Sequence, residues 1–197
     1  MKTRLTFVLA IVSAMLITAC GGGGGTTQSV PADLSGYTVN DLSGTNAAVA
    51  QKLGADGRAT EQGYLVEGQK SGQWTTFDKD GKISTVTNYI NGMKNGIELK
   101  FNSRGMIEAM TSYKNNQLNG MSGTYKNGRP LQEVSYKNGA YDGMTKKYFN
   151  NGKIQQEMSF KNGKQDGILK YYNEDGAVTM EYMYKNGEKI SGGIVEN

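Results

Sequence analysis

Glycine recurs on a fixed grid in this chain. One series falls at Gly57, Gly81, Gly105, Gly128, Gly152 and Gly176, in steps of 24, 24, 23, 24 and 24 residues. A second runs Gly72, Gly96, Gly120, Gly143 and Gly167, and a third Gly68, Gly92, Asn116, Gly139, Gly163 and Gly187, in the same rhythm. Self-similarity at a period of this size marks a repeat array rather than an ordinary globule. The fold must be built from one small unit used several times.

Between the glycines the pattern has period two. Ile97, Leu99 and Phe101 alternate with polar residues after the second glycine of one unit, and Ile168, Lys170 and Tyr172 hold the same positions in a later one. After the third glycine come Ile83, Thr85, Thr87 and Tyr89, then Ile107, Ala109, Thr111 and Tyr113, then Ile154, Gln156, Met158 and Phe160. Alternation over runs of this length is the strand signature. Asn138-Gly139 and Asn162-Gly163 lie between two such runs, and Asn-Gly is the strongest short hairpin signal because both residues tolerate positive φ. "DKDG", "NSRG", "NNG" and "NEDG" close the other end of each unit. The early glycine of a strand (Gly143, Gly167) suits a bulge or a close backbone approach.

An all-β chain follows: an elongated antiparallel meander of about six β-hairpins over 65–197. A lone hairpin is marginal at best, so neighbours must pair and cover one another. Residues 46–64 read as a degenerate capping repeat, with Ala48, Ala50 and Ala59 as small core positions. A short helix from Asn46 to Leu53, capped by Asn46, is the alternative there.

The first nineteen residues read as a secretory signal. Lys2 and Arg4 precede an apolar run, Leu5 to Ile17, too short to span a bilayer comfortably. Ile17-Thr18-Ala19-Cys20 resembles the bacterial lipobox, which implies an acylated Cys20 as the first mature residue. Cys20 is the single cysteine, so no intramolecular disulfide is possible. Several acyl chains on it would hold the protein firmly to a membrane. Five glycines and a Ser/Thr/Pro-rich stretch make 20–45 a disordered, flexible tether. Gly21 in place of Asp points, by resemblance to the sorting rule of enteric bacteria, to the outer membrane. Without Lys2 and Arg4 the basic count drops from 22 to 20 against 18 acids, and no basic stripe remains for nucleic acid.

"YKNGAYDGMTKKYFNNGK" and "FKNGKQDGILKYYNEDGA" resemble MORN repeats in the bacterial variant of the YwqK-type antitoxin family. Tyr136, Asn138, Gly139, Asp142, Gly143, Tyr148 and Gly152 carry the pattern, and the resemblance runs from Gln62 to Asn197. Departures are Asn116 where Gly is usual, Pro130 just after a turn, and Trp74 one position off the core register. The resemblance implies a non-catalytic array that binds a protein partner, as an antitoxin or immunity protein would; related arrays act as scaffolds, dimerisation modules or suspected lipid binders.

The search for chemistry agrees with a binding role. The chain has no His, hence neither the commonest general base nor the commonest metal ligand. Asp78 with Asp80 and Glu174 with Asp175 flank turn glycines, where Asp serves local hydrogen bonding. "DKDG" lacks the downstream Glu of a calcium loop, and "GGGGG" lacks the strand and Lys-Ser/Thr of a phosphate cradle. No enzyme, cofactor or metal is expected. Tyr89, Tyr113, Tyr136, Phe160 and Tyr184, and likewise Phe77, Phe101, Tyr125, Tyr148 and Tyr172, recur once per unit and read as the sheet core. A stacking ladder for peptide, glycan or lipid headgroup is the functional alternative. The non-periodic Trp74, Tyr141, Tyr171 and Met183 are expected to face away from that ladder or to lie in turns, where exposed aromatics anchor interfaces. A structural module assembling through its own open strand edges is the competing role.

Overall fold

The computed structural model describes residues 32–195, so Cys20, the signal segment and the glycine run lie outside the described residues. The strands of the first half are β1 (Tyr37–Asp41), β2 (Ala47–Leu53), β3 (Ala59–Val66), β4 (Gln69–Phe77), β5 (Ile83–Ile90), β6 (Met93–Phe101) and β7 (Ile107–Lys114). Those of the second are β8 (Gln117–Leu118), β9 (Gly120–Lys126), β10 (Arg129–Lys137), β11 (Ala140–Tyr148), β12 (Ile154–Lys161), β13 (Lys164–Tyr172), β14 (Val178–Lys185) and β15 (Glu188–Ile194). They form one antiparallel sheet in chain order, with the two-residue β8 paired to β7 beside β9. At roughly 4.8 Å per strand the ribbon is about 60 Å long. The expected meander is there.

Ala47–Leu53 is a strand, as the capping-repeat reading of 46–64 requires, so the alternative helix falls and Asn46 turns its amide to the Glu67 carboxylate instead of capping. One boundary differs from the sequence reading. Residues Tyr37–Asp41, assigned to the tether, pair along their whole length with β2. Alternating Tyr37, Val39 and Ala48, Ala50 place apolar groups on one face there, a signal too short to be read beside the glycine run.

Two kinds of turn alternate. Asn138-Gly139 (φ 50, 82) and Asn162-Gly163 (φ 49, 80) both sit in the left-handed region, the type I′ geometry that matches strand twist. At the opposite margin an Asx side chain closes a longer turn: Asp78 Oδ1 accepts the N–H of Asp80 and of Lys82, and Asn102 and Asn173 do the same in later units. The single 23-residue step has its cause here. The unit ending in Gly128 is one residue short and turns on Asn127-Gly128 instead, and the register slips at Pro130, where a missing N–H is harmless.

We call the strands that follow the turns at Gly68, Gly92, Asn116, Gly139, Gly163 and Gly187 leading, and those that follow the turns at Gly57, Gly81, Gly105, Gly128, Gly152 and Gly176 trailing. Each leading strand is bulged near its start. Val134 pairs with Thr145 but Tyr136 with Tyr141, so three residues around Gly143 oppose Ser135 alone. Gly143 takes φ +106, and a Cβ there would stand 3.0 Å from the Ser135 Cβ. Both suggested reasons for the glycine hold together.

Following cross-strand partners assigns the faces. The row Val39–Ala50–Gly63–Trp74–Thr87–Glu98–Thr111 continues through Ser122, Val134, Thr145, Met158, Leu169, Tyr182 and Gly192 on the front. Thr75, Val86, Leu99, Met110, Gly123, Glu133, Lys146, Glu157, Lys170 and Glu181 form the row on the back. The aromatics that were read as one core are therefore two sets. Tyr89, Tyr113, Tyr136, Phe160 and Tyr184 lie on the front, and Phe77, Phe101, Tyr125, Tyr148 and Tyr172 on the back. Hairpins join edge to edge in a single layer and do not cover each other's faces. Burial is accordingly thin, and its densest cluster is Ala48, Ala50, Leu65 and Trp74 near the N-terminal end, with Ala32, Leu34, Tyr37 and Tyr89 packed on it.

Candidate functional site

The front of the middle units carries a cluster of three aromatic rings beside a depression. Tyr136 and Tyr141 are cross-strand partners, and the Tyr141 ring stands edge-on to Tyr136 and to Phe160, with centroids 5.1 Å apart in both pairs. Such T-shaped contacts stabilise by about 0.5–1.5 kcal/mol beyond burial. Tyr141 still exposes 37 % of its surface. β9 reads Gly-Met-Ser-Gly-Thr-Tyr, and its short side chains leave the front low beside this wall. A depression of about 250 Å³ results, lined by Ala109, Thr111, Ser122, Val134, Tyr136 and Tyr141. Burial, followed by its hydrogen bond with Tyr141, pushes the Tyr136 phenol up to about 12. The Tyr136 phenol therefore stays neutral at physiological pH, and the wall presents aromatic rings beside the depression.

The back of the same units is polar and partly paired within itself. Glu133, Lys146, Glu157, Lys170 and Glu181 are successive cross-strand partners of alternating sign. The Tyr148 hydroxyl donates to Glu133 at 2.6 Å, and the Tyr172 hydroxyl donates to Glu157. Burial first, then the carboxylate that accepts the proton, raises both phenols, Tyr172 to about 12. Part of this face's charge is met within the sheet, with Lys170 3.7 Å from Glu181.

At the N-terminal end of the front, Lys70 fills an aromatic box. Its ammonium lies 4.0 Å from the Trp74 ring centroid, 5.4 Å from Tyr89 and 5.9 Å from Tyr37, and it pairs with Glu61. Glu61 also accepts the Tyr37 hydroxyl. Burial foremost, with this bond, drives the Tyr37 phenol well above its ordinary value. The box holds a cation, but the cation is the chain's own.

The four sequence-nominated residues do not meet. Trp74 is corrected outright: only 2 % of it is exposed, its indole N–H donates to the Tyr64 carbonyl, and it lies on the same face as Tyr89. Gly63 opposite leaves room for the indole, since a Cβ there would fall 2.4 Å from the ring. Tyr141 lies in a strand on the front, among the ladder rather than away from it. Tyr171 faces front between Gln156 and Met180, and Met183 faces back against Ile168, both half-buried. Sequence reasoning missed Phe160 and Tyr136 as walls of an open site, having assigned them to the core. It also missed the Glu/Lys ladder, although Glu133, Glu157 and Glu181 stand 24 residues apart and were there to be read. Among the described residues, no group of three or more His, Cys, Asp or Glu could hold a metal.

Comparison with known proteins bears on the repeats alone. The MORN repeat variant matches at residues 70–91, 141–162 and 165–186, so the chain carries this repeat at three segments. Each runs from near the start of a bulged strand to the Asn of the next Asn-Gly turn, which agrees with the unit seen in the sheet. No curated protein matches the chain. Among solved structures, S. aureus TarM is similar at 16 % identity and a TM-score of 0.33, over 49 % of this chain and 19 % of that one. A TarM mutant in complex with fondaparinux, alpha-GlcNAc-glycerol and UDP gives the same identity and TM-score, over 48 % and 19 %. The chain thus spans 19 % of the length of either.

Proposed function

We propose that this chain is a non-catalytic binding module of the bacterial cell envelope, held to the outer membrane through acylated Cys20, whose front face takes a protein partner. The observation that carries the reading is the Tyr136–Tyr141–Phe160 wall beside its depression: aromatic rings held edge-on to one another on the sheet face suit a protein interface. The antitoxin or immunity role is the finer version, supported by the family resemblance of the repeats, and it makes the partner a toxin or effector from a neighbouring reading frame. The test expresses that neighbour and measures its affinity for the full chain. Tyr141→Ala is expected to weaken binding about tenfold or more, the size of an interface anchor, while Met183→Ala on the back leaves it unchanged. Equal affinity for both variants would remove the front face from the proposal. Incorporation of labelled fatty acid, abolished by Cys20→Ser, tests the anchor.

A further inference from the structure

Among the described residues the sheet ends on two unpaired edges, and they are complementary in kind. β15 follows the Asn186-Gly187 turn and is a leading strand; everywhere inside the array a leading strand has a trailing strand on its outer side. β1 occupies the place of a trailing strand, because β2 runs into the turn at Gly57, in phase with Gly81, before β3. The array therefore begins with the kind of strand that its other end lacks.

Hydrogen-bond phase agrees. Leu42 N–H donates to the Ala47 carbonyl, in register with Asp41↔Ala48, so the residues of β1 that bond to β2 alternate and Tyr37, Val39 and Asp41 point their backbone groups outward. Val195 N–H donates to the Thr179 carbonyl, in register with Met180↔Ile194, which leaves Gly192 and Ile194 outward on β15. Both outward sets carry their side chains on the front. Joining them antiparallel keeps front beside front, whereas a mismatch in either phase would have inverted the sheet at the junction.

Side chains complete the case. Ile194 is 82 % exposed and Ile190 61 %, large apolar surface for the last strand of a sheet. Placing Gly192 opposite Val39 sets Ile194 against Tyr37 and brings Lys189 beside Asp41, opposite charges across the joint. β1 lacks the Lys, Pro or bulge with which edges are usually blunted. The chain enters β1 from Ala32 and Leu34, which pack against the front-face cluster; the Leu34 carbonyl takes the Tyr37 N–H, so the outward N–H groups that β1 offers a partner are those of Val39 and Asp41.

We infer that the protein assembles head to tail, with β15 of one copy pairing antiparallel to β1 of the next so that one sheet runs through successive molecules. The joint is heterologous and does not close on itself, so the product is a linear series rather than a dimer. It uses edges and not the front wall, so it stands independently of partner binding.

Full-length chains in a Cys20→Ser background, free of the native thiol, carry Asn40→Cys in one preparation and Ser191→Cys in the other. Both positions are exposed, and in the proposed register they form a non-hydrogen-bonded pair about 4.5 Å apart. Mild oxidation of the mixture is expected to give disulfide-linked dimers joining positions 40 and 191, and neither preparation alone should do so. A chain with both substitutions should give a ladder of multimers. Equal linkage by Ser191→Cys alone would show tail-to-tail pairing and overturn the inference, as would no linkage in the mixture. Val39→Pro removes one outward N–H and leaves the bonds to β2 intact, so it should weaken self-association by about tenfold at unchanged circular dichroism. Undiminished assembly of the folded variant would also overturn it.

Discussion

At the scale of single residues, the glycine grid is a record of backbone angles. Gly167 takes φ +118 and a Cβ on it would stand 2.9 Å from the Ser159 Cβ. Gly167→Ala meets strain and overlap together, and urea unfolding should show a loss of about 1–3 kcal/mol. Gly163 also has positive φ, but its surroundings are open except for Ala140 at 3.8 Å. Gly163→Asn should therefore cost less than about 1 kcal/mol, since Asn enters the left-handed region readily. Asn116 already does so, at φ 66, and its side chain earns the position by accepting the Lys94 N–H at 2.7 Å. The grid was legible because few residues tolerate such angles. The reason for Asn116 was not, because its partner lies 22 residues away and no local pattern points to it. Asp142 and Asp166 are similar cases: each accepts the N–H of the Asn in the following unit's turn, Asn162 or Asn186.

Elements add what counting along the sequence lost. A bulge near the start of each leading strand and a second register slip near its end disturb the odd–even rule, so aromatics twelve residues apart, such as Tyr172 and Tyr184, land on opposite faces. Reading them as one core followed from applying the rule across those slips, and the expected exposure of Trp74 fell with it. The back-face ladder gives the element its own pH response. Tyr172 has an ordinary value of 10.0 and about 12 in the fold. Below pH 10 it is protonated folded or unfolded, and its bond to Glu157 contributes in full. Between 10 and 12 the unfolded chain loses the proton and the folded one keeps it, so stability falls as pH rises through that window. Tyr136, also near 12, acts in the same direction. Denaturation midpoints measured from pH 9 to 12 should decline for the natural chain and decline less steeply for Tyr172→Phe, which has no proton to lose. A parallel decline in both would assign the alkaline loss elsewhere.

Over the whole molecule, a single layer means that each strand touches only its neighbours, and stability is a sum along the ribbon rather than a property of one core. The sum is uneven. Ala48, Ala50, Leu65 and Trp74 supply the one dense cluster, whereas the far half relies on fewer buried apolar positions, Val134 and the cross-strand pair Met158 and Leu169. A globular protein would answer removal of its largest buried side chain by loosening everywhere. Here the response should be graded by distance along the sheet. Trp74→Ala leaves a hole among Tyr37, Gly63, Lys70 and Tyr89, with a cost of about 3–5 kcal/mol, and it exposes the Lys70–Glu61 pair whose box it closed. Amide hydrogen exchange should lose protection across β1 to β5, less at β6, and not at all from β10 to β14, where the Glu/Lys ladder and the Tyr136–Tyr141–Phe160 wall remain. Uniform loss as far as β14 would mean that the repeats unfold as one cooperative body. Retained protection from β10 onward would instead mean that the aromatic wall can stay intact while the β1 end frays, which frees the two ends of the ribbon to serve separate purposes.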